Sequence, residues 1–485
     1  MPREPFNVVI LGASFAGLSA AHYFLDNIVK SLSTIANPPK YRVVLTSPSS
    51  HFYWNVGAPR ALVSPSLIPH SQSFVSIEGG FKQHPFTDFS FKQGTVIAVD
   101  PSARNVTVIL ASPTYNPRGS TSTRKTSHAS SASKTHTASS RFSTIQTVPY
   151  HALILATGSS AISPLLSLHG PHENTINALN TFHDKANQAK SILIVGGGPS
   201  GVESAGQLAT HFKAGPKKLK FRPTQPKSSE GSAESKRLSG GSWGSGKQSA
   251  SSQDANPKLK TMTLLSGSDR LLPRLSPAVS KKAEKKLKRL GVHVVHNIRQ
   301  LALSENPDGT VNCHMNNAMT ITADVHIAAT GVEPNTAYLP PELVNGDGYV
   351  VTDPTYLRVY GAGDRVYALG NCASYSKNCV LDVYDALPVL MHNLKNDLLA
   401  YELRSEAKKG FEGTIAALQD LRYEQNPTES QLIPITRRGG VGVIFDVKVP
   451  SPLVHWLKGR DYGVGRARAV VEKGNNPYTP GLAKK

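Results

Sequence analysis

Two doubly wound α/β units, the second inserted into the first, are predicted by three observations. Strand-like apolar runs alternate with helical stretches along most of the 485 residues. A Gly-rich strand-to-helix turn occurs twice, at Gly12–Gly17 and at Gly196–Gly201. An apolar strand ending in Ala-Thr-Gly also occurs twice, at 156–158 and at 329–331. A chain of this length exceeds one ordinary core, so two or three domains are expected.

The elements follow in order. VVIL (8–11) is an uninterrupted apolar run, as in a strand buried on both faces, and a helix of small and apolar residues follows from Ala16. YRVVL (41–45) is the next strand, and TVIAVD (95–100) with NVTVIL (105–110) reads as a hairpin. HALILATG (151–158) and SILIVGGG (191–198) are buried strands, and a second helix starts at Ser200. TMTLLSG (261–267), VHVVHN (292–297) and DVHIAATG (324–331) continue the alternation. The first unit is therefore assigned to 1–184 and 334–400, the inserted unit to 185–333, and a C-terminal segment to 401–485.

Two stretches break the pattern. Residues 113–147 are dominated by Ser and Thr, and 215–258 are rich in Ser, Gly and Lys, with no apolar periodicity in either. Such composition cannot offset the entropy of ordering the backbone, so both are expected to be disordered surface inserts. They also explain the net charge of +20. Residues 113–147 hold five basic and no acidic residues, 213–260 eleven against three, and 437–485 ten against three, which leaves the rest of the chain neutral. The basic character thus belongs to two inserts and a tail rather than to a folded basic face, and nucleic acid is not expected as the main partner.

Three cysteines, at 313, 372 and 379, form no C-x-x-C pair, so neither a redox dithiol nor a zinc knuckle is indicated, and no metal site is expected. MPREPFNVVILG runs straight into a strand without a secretory h-region. There is no run of about 18 apolar residues. The expectation is a cytoplasmic chain.

The first Gly-rich turn is Gly12-Ala13-Ser14-Phe15-Ala16-Gly17, with Ser14 where the G-x-G-x-x-G fingerprint has its middle glycine. Gly12 permits the tight turn, Ser14 is small enough for a pyrophosphate to approach, and Gly17 allows close helix–strand packing. The helix N-terminus supplies free N–H groups and partial positive charge. The second strand then runs into Thr46-Ser47-Pro48-Ser49-Ser50, where a ribose-binding carboxylate is usual and only hydroxyls are present. The second turn matches fully, with Gly196, Gly198 and Gly201 and a proline, Pro199, suited to the first helical turn. Its partner strand ends in Ser266-Gly267, again without an acid. A 2′-phosphate meets no repulsion there and Arg270 is near, so NADPH is slightly favoured within an NAD(P) assignment.

GAGD (361–364) and ALGN (368–371) compete for one role, that of a late turn holding a second cofactor group. Asp364 is followed by RVYAL, a strand-like run, whereas Asn371 precedes a long segment with helical periodicity, interrupted at Pro388. A cofactor-holding turn needs a helix behind it, which selects Asn371.

Together these features resemble the two-dinucleotide-fold (Rossmann-like) pyridine nucleotide–flavin oxidoreductases, and within them the apoptosis-inducing-factor-like branch that includes ferroptosis suppressor protein and fungal relatives. SSHFYWNVGAPRALV (49–63), SGSDRLLP (266–273) and RRGGVGVIFDVKVPSPLVHWLKGRDY (437–462) carry the closer match. The resemblance implies FAD at Gly12 to Gly17, Arg60 against the FAD, Val96 against the adenine through its backbone, and Asn371 at the ribitol. It implies NAD(P)H as co-substrate at the second turn, with Glu203 lining the nicotinamide pocket and Gly331 closing the second Ala-Thr-Gly strand. Glu203 also fits as a helix-dipole partner.

The family chemistry is carried by the cofactors, so no catalytic triad is expected. With no dithiol, electrons must leave the flavin directly for a quinone, another small-molecule acceptor or oxygen, and the relatives imply a quinone. Leu453, Val454, Trp456 and Leu457 beside Lys458, Arg460, Arg466 and Arg468 fit either a peripheral membrane contact through 450–485 or packing on the flavin unit. The competing classes are a non-catalytic nucleotide-sensing protein whose basic inserts bind nucleic acid or other anions, and a flavin monooxygenase.

Overall fold

The structure is a computed structural model that describes residues 4–33, 39–111, 144–215, 218–223, 259–405 and 412–478. Most of both Ser-rich inserts, and the end of the 450–485 segment, lie outside the described residues.

The strand Phe6–Leu11 sits in a seven-stranded sheet, parallel to Tyr41–Ser47 on one side and Ala152–Leu155 on the other. Val8 pairs with Val43 and with Ala152, and Val8 to Leu11 have no exposed surface, as a strand covered on both faces requires. Val366–Ala368 extends the sheet beyond Ala152–Leu155, so the chain returns to its first unit after the inserted one. The hairpin Phe89–Asp100 with Asn105–Leu110 occupies the other side and carries a bulge between Val96 and Ala98.

The inserted unit is centred on Ser191–Val195, in the parallel order His293–Val295, Thr261–Leu265, Ser191–Val195, Val325–Ala328. One carboxylate ties two of these strands together at their start: Asp324 Oδ2 accepts from the backbone N–H groups of Lys190 and Ser191 and from Ser191 Oγ, at 2.9, 2.7 and 2.7 Å. A second, antiparallel four-stranded sheet packs on it, Cys313, Met315 and Ile321 meeting Leu193, Val195 and Leu265 in a small core. The predicted α/β fold class, with dinucleotide-binding units, is the fold observed.

Three expectations are corrected. Ile145–Pro149 is a strand paired with Asn105–Leu110, so the first insert ends earlier than residue 147. Phe221–Pro223 pairs with Met319–Ala323, so part of the second expected insert is sheet. In both cases a waiting sheet edge orders a segment that composition alone leaves open. The third concerns Pro388, which does not interrupt its helix: Val380–Ser405 runs through it. Leu387, Leu390, Met391 and Leu394 are buried on the inner face, while Pro388 lies on the exposed one, so the hydrogen bond that it forgoes leaves the core packing intact.

The C-terminal segment joins both units. Its strand Gln431–Thr436 lies on the helix Pro199–Phe212 where a Cβ on Gly206 would come within 2.3 Å of Ile435 O, so only glycine permits the contact. Its last helix, Ala467–Lys473, packs on the first unit, with Val470 and Val471 buried and His22 Nε2 2.8 Å from Val471 O. Much of the tail therefore packs inward.

Candidate functional site

One open cavity of about 1750 Å³ runs across the molecule from the first Gly-rich turn to the C-terminal segment. This is larger than the roughly 300–1,000 Å³ of ordinary small-ligand pockets, and so has room for an extended cofactor with a second ligand.

Gly12, Ala13, Ser14, Phe15 and Ala16 form one wall. Gly12 has φ of +103°, and a Cβ there would lie 2.2 Å from Ala156 O; the same atom on Gly17 would meet Gly12 O at 1.7 Å. Gly12 thus shapes the turn, and Gly17 lets helix and strand close without itself reaching the cavity. Ser14 is the N-cap of Phe15–Tyr23, yet its hydroxyl makes no capping bond, and the residue is exposed on the cavity wall. At the adenosine end, Thr46 and Ser47 line the wall, and Thr46 Oγ1 is buried without a hydrogen-bond partner among the described residues. An orphaned buried hydroxyl beside a bare glycine turn fits a dinucleotide. Val96 lines the same end, at the bulge in its strand.

Asn371 is on the wall and Asp364 is not. The amide of Asn371 is held loosely, with Nδ2 3.5 Å from Ser159 Oγ and Oδ1 3.4 Å from Ser376 Oγ, so it can turn to a ligand hydroxyl. The helix does not start directly behind Asn371 but at Val380. Asp382, in its first turn, ties the intervening loop, accepting from Ser376 Oγ at 3.1 Å and from Lys377 N at 2.7 Å. No sequence motif marks this carboxylate, which reaches Asn371 only through Ser376.

At the second Gly-rich turn, Gly196 has φ of +128°, and a Cβ there would lie 2.0 Å from Ala329 O. Gly201 closes on Gly196 O, 1.9 Å from where its own Cβ would be. A Cβ on Gly198 or Gly331 would meet nothing within 4 Å. Gly196 and Gly201 shape the turn and Gly331, with φ of +128°, the strand end, while nothing around Gly198 demands glycine. The expected cofactor contact of these four is corrected, because Pro199, Ser200 and Glu203 line the cavity and the glycines do not. Glu203 is 2 % exposed and accepts from Lys458 Nζ at 2.7 Å. Burial pushes its carboxyl above the ordinary value, against the opposing effects of Lys458, Tyr462 and Arg60. Lys458 also donates to Leu432 O at 3.0 Å, leaving one of its three donors for the cavity.

Two further expected contacts are corrected. Arg60 does not line the cavity: it is 2 % exposed, and its guanidinium donates to Gln207 Oε1, Arg460 O and Gly459 O at 3.0, 2.9 and 2.7 Å. It clasps the C-terminal segment and lies off the wall where a cofactor phosphate would sit. Arg270 turns back on its own loop, donating to Pro273 O at 2.9 Å. The cation over the bare end of the strand Thr261–Leu265 is Arg299, whose Nε lies 3.3 Å from where a Cβ on Gly267 would be. No local motif signals it, because it comes from a different strand connection.

A family model of the pyridine nucleotide-disulphide oxidoreductases matches residues 6–388, and the chain belongs to that family, whose members use FAD with NAD(P)H. It is 32 % identical over 466 residues to the oxidoreductase phnG of Penicillium herquei, covering 94 % of this chain and 93 % of that protein. It is 27 % identical to the oxidoreductase ptaL of Pestalotiopsis fici, over 75 % of this chain and 76 % of that one. Ferroptosis suppressor protein 1 of Taeniopygia guttata is 26 % identical over 42 % of this chain and 41 % of its own length. Among solved structures, the sulfide:quinone oxidoreductase of Aquifex aeolicus shares the fold with a TM-score of 0.63 at 11 % identity, covering 98 % of this chain and 93 % of that one.

Proposed function

We propose that this family member takes hydride from NAD(P)H and passes electrons directly to a quinone or similar small acceptor, without a redox disulfide. The observation that carries the reading is the continuity of one cavity from the Gly12–Ala16 cradle, past Asn371, to Glu203 and Lys458. FAD, if bound, would supply the two-electron redox chemistry between nicotinamide and acceptor. The chain's residues bind and orient. The Gly12–Ala16 cradle would hold the pyrophosphate at a helix N-terminus, Thr46 and Val96 would face the adenosine end, and Asn371 would offer an amide to the ribitol. Lys458, held by Glu203, keeps a donor for an acceptor oxygen. Cys313, Cys372 and Cys379 are free, and burial raises each thiol, which disfavours the thiolate that a disulfide relay needs.

The apoptosis-inducing-factor-like branch is supported by the partial match to ferroptosis suppressor protein 1 and by the closing K-G-R-D at 458–461. NADPH is supported over NADH by Arg299 beside the acid-free Gly267. A peripheral membrane contact has narrower support. Within 450–478, Leu453 and Trp456 are exposed while Val454, Val470 and Val471 are buried, and no helix among the described residues is long and apolar enough to cross a membrane.

The deciding measurement is the visible spectrum of the purified protein. A yellow protein whose flavin absorbance bleaches anaerobically with NADPH, and less readily with NADH, is expected; a colourless protein that takes up no FAD would sink the reading.

A further inference from the structure

We propose that Phe445 and Trp456 form the docking subsite for a planar, fused-ring quinone at the mouth of the cavity. The proposal rests on the acceptor reading above and names the class of acceptor. Phe445 is 63 % and Trp456 71 % exposed, yet both line the cavity that contains Glu203 and Lys458. Exposure alone would mean little, since Phe86 is as exposed and lies away from the cavity.

The backbone gives the first reason. Phe445 and Asp446 make the two-residue turn between the strands Gly439–Ile444 and Val447–Lys448, with φ of +47° and +62°. Such turns favour Asn, Asp or Gly at both positions, and Asp446 conforms. An aromatic residue at the first position is strained. The surroundings impose the conformation: Phe445 N donates to Ser430 Oγ at 2.9 Å, Asp446 N to Glu429 O at 2.9 Å, and Glu429 N to Asp446 Oδ1 at 3.1 Å. Glu429 and Ser430 are themselves on the cavity wall. Strain that neighbours enforce is characteristic of ligand clamps.

Trp456 gives the second. It stands in a widened π-helical turn, His455–Gly459, closed by Arg460 N on His455 O at 2.8 Å. Turns of this kind concentrate at functional sites. This one brings Trp456, Leu457 and Lys458 to the cavity together. Leu432 and Ile444 complete an apolar wall there, so the mouth has aromatic edges, an aliphatic lining and one ammonium group.

A fused-ring quinone matches each part. Its faces suit the two aromatic side chains, each such contact being worth roughly a three- to tenfold gain in affinity beyond burial, and its carbonyl oxygen suits Lys458. The overall reaction balances as NAD(P)H, one proton and the quinone giving NAD(P)⁺ and the hydroquinone. Two electrons pass to the quinone, and the hydride supplies its second hydrogen.

The test uses the full-length holoenzyme with a naphthoquinone and, as a small polar acceptor, ferricyanide. Phe445→Ala and Trp456→Ala should each raise the naphthoquinone KM about five- to tenfold relative to the ferricyanide KM, and Trp456→Phe should recover most of the loss. Unchanged KM ratios in both alanine variants would overturn the proposal. So would unchanged ratios accompanied by loss of flotation with anionic vesicles, which would make the two residues lipid anchors instead. Direct binding separates this proposal from the one beneath it. Saturable quenching of tryptophan fluorescence by the naphthoquinone should weaken in Phe445→Ala even if NAD(P)H fails to bleach the flavin; quenching that is unaltered by the substitution counts against the subsite.

Discussion

Asn371 shows how a single substitution is absorbed locally. A neutral amide replaces the charge-assisted partner that a ribitol hydroxyl would find in a carboxylate, and neutral bonds are about half as strong. Asp382, linked to Asn371 through Ser376, keeps a carboxylate in the same loop without presenting it at the turn. Asn371→Asp should therefore tighten FAD, but only about fivefold, because two carboxylates would then share Ser376. A fluorescence titration of the apoprotein measures this, and an unchanged Kd would mean that Asn371 does not touch the ribitol. Arg299 is the second residue with a definite expectation. Arg299→Ala should raise the KM for NADPH about tenfold and that for NADH much less, which steady-state kinetics with both nucleotides would show; equal effects would remove Arg299 from 2′-phosphate recognition.

Between elements, the ion pair of Glu203 and Lys458 couples the helix Pro199–Phe212 to the turn His455–Gly459. Burial holds the Glu203 carboxyl above its ordinary 4.5 despite the ammonium beside it. A carboxyl whose folded value is raised contributes its stability fully below the unfolded value and loses it as pH rises through the folded one. The melting temperature of Glu203→Gln, relative to the parent protein, should therefore climb as pH rises above the ordinary carboxyl value of 4.5. A difference that stays flat would show that Glu203 titrates normally. The same pair of elements carries the cavity mouth, so the packing that fixes Lys458 also fixes Trp456.

Across the whole chain, the C-terminal segment acts as a strap over both units rather than as a free tail. Arg60 is its clasp, donating to the carbonyls of Gly459 and Arg460, and Trp54 Nε1 adds a bond to Tyr462 O at 2.9 Å. Arg60→Ala would leave these carbonyls and Gln207 without their buried donor and should cost about 2–4 kcal/mol. Thermal denaturation should show the loss while residues 450–485 remain intact. A surface-like effect of a few tenths of a kcal/mol would mean that the clasp does not matter.

The two-unit α/β fold is legible in the order of amino acids, because buried parallel strands must be apolar throughout and a turn that admits pyrophosphate must be small. Gly12 to Ala16 are legible as a small-residue turn between strand and helix, and Asn371 as the late Gly-Asn turn after a strand, whereas Val96 and Glu203 are implied by the family resemblance rather than by spacing; all of them line the cavity. Other features exist only once the chain has folded. Arg60 is a clasp because the segment it holds is some 400 residues away in the chain. Arg299, and not Arg270, stands over Gly267 because a neighbouring connection brings it there. Ile145–Pro149 and Phe221–Pro223 are strands because a sheet edge with unpaired backbone groups orders whatever segment reaches it. Local pattern specifies what depends on neighbours in the chain; contacts between distant segments depend on how whole elements pack, which no short stretch encodes.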